Sequence, residues 1–260
     1  MIRSPAPLAV LLVTALLGGC ASAPTSTSAP PAAREEQTDN SRAAQVNVQL
    51  GLGYLQRGQK QAALEKLTRA LEFDPRSGLA HHAYALLQDV LGETEEADRY
   101  FRRAIELEPK DSEALNNYGA FLCRNKQPEE GIAMLERALA NPLYTTPEFA
   151  WANIGQCRRQ AGELAAAGEA LDRALKSNSR HASTWLQLGE VQMELGQPMK
   201  ASRSLQRYHE LAPQGPASLL LGARIERALG HREAQANYEL LLRGKFPESD
   251  EARRLGEMQQ

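Results

Sequence analysis

The chain carries no excess of charge of either sign: 30 Lys and Arg stand against 32 Asp and Glu in 260 residues. Nucleic-acid binding calls for a basic stripe, so this balance speaks against such a partner. The apolar stretch from Ala6 to Leu17 is too short to span a bilayer, which takes about 20 residues in a helix. The histidines build no metal site. His81 and His82 are adjacent, so on a helix they point about 100° apart, and His181, His209 and His231 are scattered. Paired carboxylates, a nucleophile elbow and a phosphate loop are all missing. These absences exclude most single-site enzymes and imply no cofactor, no metal and no small-molecule substrate.

What is present is repetition. The segment Trp185-Leu186-Gln187-Leu188-Gly189, followed by Gly196, Ala201, Leu205 and Pro213, has near-copies along most of the chain. Glycines fall at Gly58, Gly92, Gly162, Gly196 and Gly230, and three of the four steps between them are 34 residues. Pro75 and Pro109, and again Pro213 and Pro247, keep the same period. A period of about 34 with this pattern of large and small residues is the signature of the tetratricopeptide repeat, a helix–turn–helix unit. The expected fold is therefore all-α, a right-handed superhelical solenoid of six helix pairs, the kind of surface that grips other proteins. The repeats are read as 44–77, 78–111, 112–147, 148–181, 182–214 and 215–248, with a capping helix at 249–260.

Within each repeat, small residues at Gly51, Gly119, Gly155, Gly189 and Gly222 let the first helix (A) approach the second (B). Ala63, Ala97, Gly131, Ala167 and Ala201 do the same from the B side, and Leu67, Phe101, Leu135, Leu171, Leu205 and Tyr238 fill the gaps. A helical glycine costs about 1 kcal/mol against alanine, so its recurrence at one position argues for packing. The 70-residue step from Gly92 to Gly162 holds two extra residues. They are placed in an enlarged loop, Asn141 to Pro147, whose prolines forbid a continuous helix.

The first 19 residues read as a processing segment, with Arg3 as its positive start and Leu17-Gly18-Gly19-Cys20 at its end. This resembles the bacterial lipobox, which implies cleavage before Cys20 and lipidation of its thiol. An acyl chain contributes about 0.8 kcal/mol per buried CH2, and two or more chains make a durable anchor. The next residues, Ala21 and Ser22, lack the aspartate that goes with inner-membrane retention. The resemblance thus implies an outer-membrane location on the periplasmic face. Residues 20–42, rich in Ala, Pro, Ser and Thr, are expected to form a flexible tether, and the repeat domain to occupy 43–260.

Cys123 and Cys157 remain. An even count in an oxidising compartment favours a bond between them, and both lie late in A helices of adjacent repeats. Packed helix axes about 8–10 Å apart leave two buried free thiols as the alternative. In a repeat array of this kind the A helices line the concave face. There Val48, Leu52 and Leu55 form an apolar stripe that Leu86 extends, whereas Leu186, Glu190 and Met193, or Ala152, Gln156 and Arg159, are more polar. The stripe is the expected partner-binding groove, on the prediction that Leu52→Glu abolishes binding and leaves the fold intact. Asn117 and Asn153 share one repeat position. They either hydrogen-bond between repeats or grip the backbone of a bound peptide.

The segments Val48-Gln49-Leu50-Gly51-Leu52-Gly53-Tyr54-Leu55, Leu115-Asn116-Asn117-Tyr118-Gly119 and Ser218-Leu219-Leu220-Leu221-Gly222, together with the lipobox and six repeats, resemble the type IV pilus biogenesis lipoproteins of the PilF/PilW family. The resemblance implies a pilotin: a lipid-anchored protein that binds subunits of the pilus secretin and promotes their insertion and multimerisation in the outer membrane. It further implies lipidation at Cys20 and a Cys123–Cys157 bond as in part of that family. The competing reading is a general periplasmic adaptor for another envelope complex, such as cell-wall hydrolases.

Overall fold

The computed structural model describes residues 31–257, with side chains from Thr38 onward. The processing segment, Cys20 and the start of the tether lie outside the described residues. Among the described residues there are thirteen helices and no strand. The A/B pairs are α1 (Pro31–Gln56) with α2 (Lys60–Phe73), α3 (Gly78–Leu91) with α4 (Thr94–Leu107), and α5 (Ser112–Arg124) with α6 (Pro128–Leu139). They continue with α7 (Pro147–Gln160) and α8 (Leu164–Ser177), α9 (Ala182–Glu194) and α10 (Pro198–Leu211), and α11 (Pro216–Leu229) and α12 (Arg232–Lys245), before α13 (Asp250–Glu257). The chain divides after Thr38, and Asp39–Gln260 forms the repeat array.

One boundary differs from expectation. Residues 31–42, read as tether, belong to α1. Pro31 suits a first helical turn, and Ala32, Ala33, Arg34, Glu35, Glu36 and Gln37 are strong helix formers. The Pro- and Ser-rich residues before them hid this change in composition.

Helix ends follow local chemistry. Ser77 and Asp111 accept hydrogen bonds from the first-turn amides of α3 and α5. Prolines open α6, α7, α10 and α11, where no amide partner is lost. The turn glycines Gly58, Gly92, Gly162, Gly196 and Gly230 have φ between 69° and 85°. At the matching turn of the third repeat the residue is Lys126, with φ 63°. A left-handed conformation costs a non-glycine residue about 1–2 kcal/mol, while glycine costs about 0.5–1 kcal/mol in unfolded-state entropy. Lys126→Gly is therefore expected to stabilise the protein by roughly 0.5–1 kcal/mol, read as a higher urea midpoint with unchanged slope.

The pairing of small and large residues is met in detail. A Cβ on Gly51, Gly119, Gly155 or Gly222 would sit 2.5 to 2.7 Å from the side chain of Leu67, Leu135, Leu171 or Tyr238. The absence of a methyl group in helix A is thus the space that the large residue of helix B fills. Gly189 departs from this: the side chain nearest its missing Cβ is Leu221 of the next repeat, at 3.0 Å. Gly131 takes the place that alanine holds in four other repeats, because a Cβ there would meet the Cys123 sulfur and lie 2.7 Å from the Gly119 carbonyl oxygen.

The loop between α6 and α7 is fixed at its base. Asn141 Nδ2 donates to Ser112 Oγ at 3.0 Å, Asn141 Oδ1 accepts from the Leu143 amide, and Tyr144 packs on the hydrophobic clusters of both adjoining repeats. At the C-terminal end α13 buries Leu255 against Leu219, Leu220 and Leu242. At the other end α1 has no preceding helix pair among the described residues, and it leaves Val46 and Leu50 half-exposed on one face. Between these ends α3, α5, α7 and α9 each touch the next A helix and α11 touches α13, while neighbouring B helices do not touch among the described residues. The A helices therefore line the inner side of the array.

Candidate partner-binding groove

The A-helix face changes character along the array. In the first two repeats it is apolar. Leu52 and Leu55 are half-buried against the cluster of Val48, Ala63, Leu67, Ala83 and Leu87. Leu86 is half-buried against the next cluster, around Phe101 and Phe121. Val48 itself corrects the expected groove: at 1 % exposure it is a core residue, packed among the alanines and Leu87 of α3, and cannot meet a partner. Leu52 also supports that cluster, so Leu52→Glu would load the core as well as the surface.

Two residues on the same face were not singled out from the sequence. Val90 is 48 % exposed and Leu79 is 36 % exposed. Both lie on α3, Val90 four residues beyond Leu86, and the 3–4 spacing that marked Leu52 and Leu55 would have found it. The exposed part of the groove is thus centred on the second repeat.

Beyond α3 the face is closed by polar ties between successive A helices. Asn117 Nδ2 lies 3.0 Å from His82 Nε2, and since the amide donates, the ring nitrogen accepts and the imidazole proton sits on Nδ1. Asn116 donates to Asn117 Oδ1 at 3.3 Å, and Asn153 donates to Asn116 Oδ1 at 3.0 Å. Asn117 and Asn153, the two candidate peptide-gripping amides, each give one N–H to this ladder between repeats. Arg124 pairs with Asp89 at 2.5 Å, and Arg159 binds both Glu190 and Glu194 in the next repeat. Cys123 and Cys157 are joined by a disulfide, with Cα atoms 5.3 Å apart. These ties run from α3 to α9 and link the polar groups of repeats two to five, and the apolar surface lies at the first two repeats.

Burial sets a pH dependence. It pushes the pKa of His82 below its ordinary value of 6.5 despite the opposing charge of Asp111, and does the same to His181 and His209. Folded-state values below the unfolded one mean that the unfolded chain takes up protons first as pH falls. The stability is present above about pH 6.5 and is lost as pH drops below it towards the folded values. The urea midpoint is expected to be lower at about pH 5.5 than at about pH 7.5, with His82→Gln flattening the difference.

No group of three or more His, Cys, Asp or Glu among the described residues is arranged to hold a metal ion. Family profiles of the tetratricopeptide repeat match residues 80–111, 100–133, 125–182 and 153–216. The chain is 32 % identical over 240 residues to the type IV pilus assembly protein PilF of Pseudomonas aeruginosa, covering 92 % of this chain and 93 % of that one. It resembles the solved structure of Pseudomonas aeruginosa PilF with a TM-score of 0.73 at 31 % identity, over 85 % of this chain and 99 % of the other. It also resembles that of PilW, described as a widely conserved type IV pilus biogenesis factor, with a TM-score of 0.76 at 31 % identity, over 82 % and 97 %.

Proposed function

This chain belongs to the PilF/PilW family of tetratricopeptide-repeat proteins of type IV pilus biogenesis, and on that premise we propose that it is a pilotin for the pilus secretin. The observation that carries the reading is the match to PilF along nearly the whole repeat array rather than over isolated repeats. The groove supports it. Leu52, Leu55, Leu86 and Val90 offer apolar surface to a helix or strand of an unassembled subunit, and the polar ties that follow them end the patch.

Cys20 carries the lipid, and the lipid gives the complex its address at the periplasmic face of the outer membrane. Binding energy alone then does the work: the groove covers apolar surface on a secretin subunit until subunits meet at the membrane. Shielding and delivery need no bond-making step.

The test is the assembly state of the secretin in outer membranes from cells with and without this gene, by electrophoresis of unheated samples. Loss of the multimer with monomer remaining supports the pilotin role. An unchanged multimer sinks it, and the client recovered by pulldown would then name the complex that this protein serves.

A further inference from the structure

A second groove, of about 590 Å³, lies on the array away from the A-helix face and between α8, α9 and α10. Its apolar part is Trp185 and Leu188, and its rim is Lys200, Arg203 and Arg207, with Asp172 on the α8 side. The three cations are three and four residues apart, so one face of α10 presents them together. Arg207 is paired with Glu210 at 2.6 Å and stands 5.9 Å from the Trp185 ring. Lys200 and Arg203 make no ion pair among the described residues, with Asp172 or with any other carboxylate. The Trp185 indole nitrogen already donates to the Ser179 carbonyl oxygen at 2.9 Å, so the ring offers a partner only its apolar surface.

A sister groove three repeats earlier shows what a neutralised version looks like. His81 stands where Trp185 does, and Arg99, Arg103 and Glu106 stand where Arg203, Arg207 and Glu210 do. There Arg99, Arg102 and Arg103 are each paired with a carboxylate of their own helix: Glu96, Asp98 and Glu106. At the places of Glu96 and Asp98 the α10 groove has Lys200 and Ser202, so among the described residues only the Arg207–Glu210 pair is kept, and Lys200 and Arg203 stand unpaired.

We propose that the groove formed by Trp185, Leu188, Lys200 and Arg203 binds an acidic peptide segment that carries a large apolar side chain. The groove is open along its length, which suits an extended segment laid across it. Trp and Arg are the residues most often found to dominate binding energy, and unpaired cations beside an apolar floor are complementary to alternating acidic and apolar residues. A flat layer of anionic headgroups would meet the cations but supply nothing to the recessed floor. The surface is separate from the A-helix groove, so this inference stands or falls independently of the pilotin reading.

The test uses the full chain with Trp151→Phe, which leaves Trp185 as the single tryptophan and local reporter. The probe is a short synthetic peptide of glutamates around one central leucine. A saturable change in Trp185 emission is expected. It should weaken at least tenfold in Lys200→Glu/Arg203→Glu and fall away at about 0.5 M salt, where the Debye length is only a few ångströms. Both substituted residues are exposed, so the variant is expected to keep its helical circular dichroism; Lys200→Ala/Arg203→Ala serves if it does not. No saturable change overturns the proposal, as does an equal response in the charge-altered protein. A response to anionic phospholipid vesicles without one to the peptide overturns it too, and makes this face a membrane contact.

Discussion

Reducing the Cys123–Cys157 bond is expected to lower the free energy of unfolding by about 3–4 kcal/mol, the chain-entropy value for a closed loop of roughly this size. The two cysteines are 34 residues apart and join α5 to α7. That junction is where the two extra residues enter the repeat, so the bond ties down the longest step in the array. Both sulfurs belong to a hydrophobic cluster with Leu135, Ala150 and Ile154. Cys157→Ala should therefore match chemical reduction closely, since it keeps the site apolar. In a solenoid each repeat contacts only its neighbours, so weakening one junction also weakens the coupling of the two halves. The urea transition should then broaden as well as shift. An unchanged midpoint on reduction would show that packing alone holds this junction.

On the proposed pilotin role, Val90→Glu is expected to weaken capture of secretin subunits by about 2–4 kcal/mol, roughly 30- to 1000-fold, the range of a residue central to an interface. Val90 is the suitable probe because it is half-exposed, whereas Leu52 and Leu86 also support the core. The fold should survive the substitution, and thermal unfolding checks that directly. As a contrast, Glu190→Gln alters the paired polar end of the same face and is expected to leave capture within about 1 kcal/mol, as surface ion pairs usually do. Full capture by Val90→Glu would move the contact off the second repeat. Equal losses in both variants would spread it along the whole A-helix face.

The repeat fold was legible because its packing rule is written once per period. Gly51, Gly119, Gly155 and Gly222 met their large partners because the spacing from glycine to partner is the same in each repeat. What a periodic stripe cannot say is which of its members the next repeat will cover. Val48 and Leu52 are equivalent in spacing, yet α3 buries the first and leaves the second at the rim. The disulfide stayed open in the sequence for a related reason. Axis separations of about 8–10 Å include two helix radii of about 2.3 Å each, so facing Cα atoms come within roughly 4–5 Å. Lys126 escaped notice because glycine is the visible mark of a left-handed turn, and lysine gives no such sign. The groove on α10 was hidden because its meaning depends on which arginines lack a partner, and that is a property of three dimensions.

The two ends of the array differ, and the difference governs how copies could ever stack. At one terminus α13 covers Leu219, Leu220 and Leu242, and the large apolar side chain left exposed on α12 is Leu240. Val46 and Leu50 lie at the other terminus, so an end-on contact between copies would join like to like. Such a contact obeys twofold symmetry and stops at a pair.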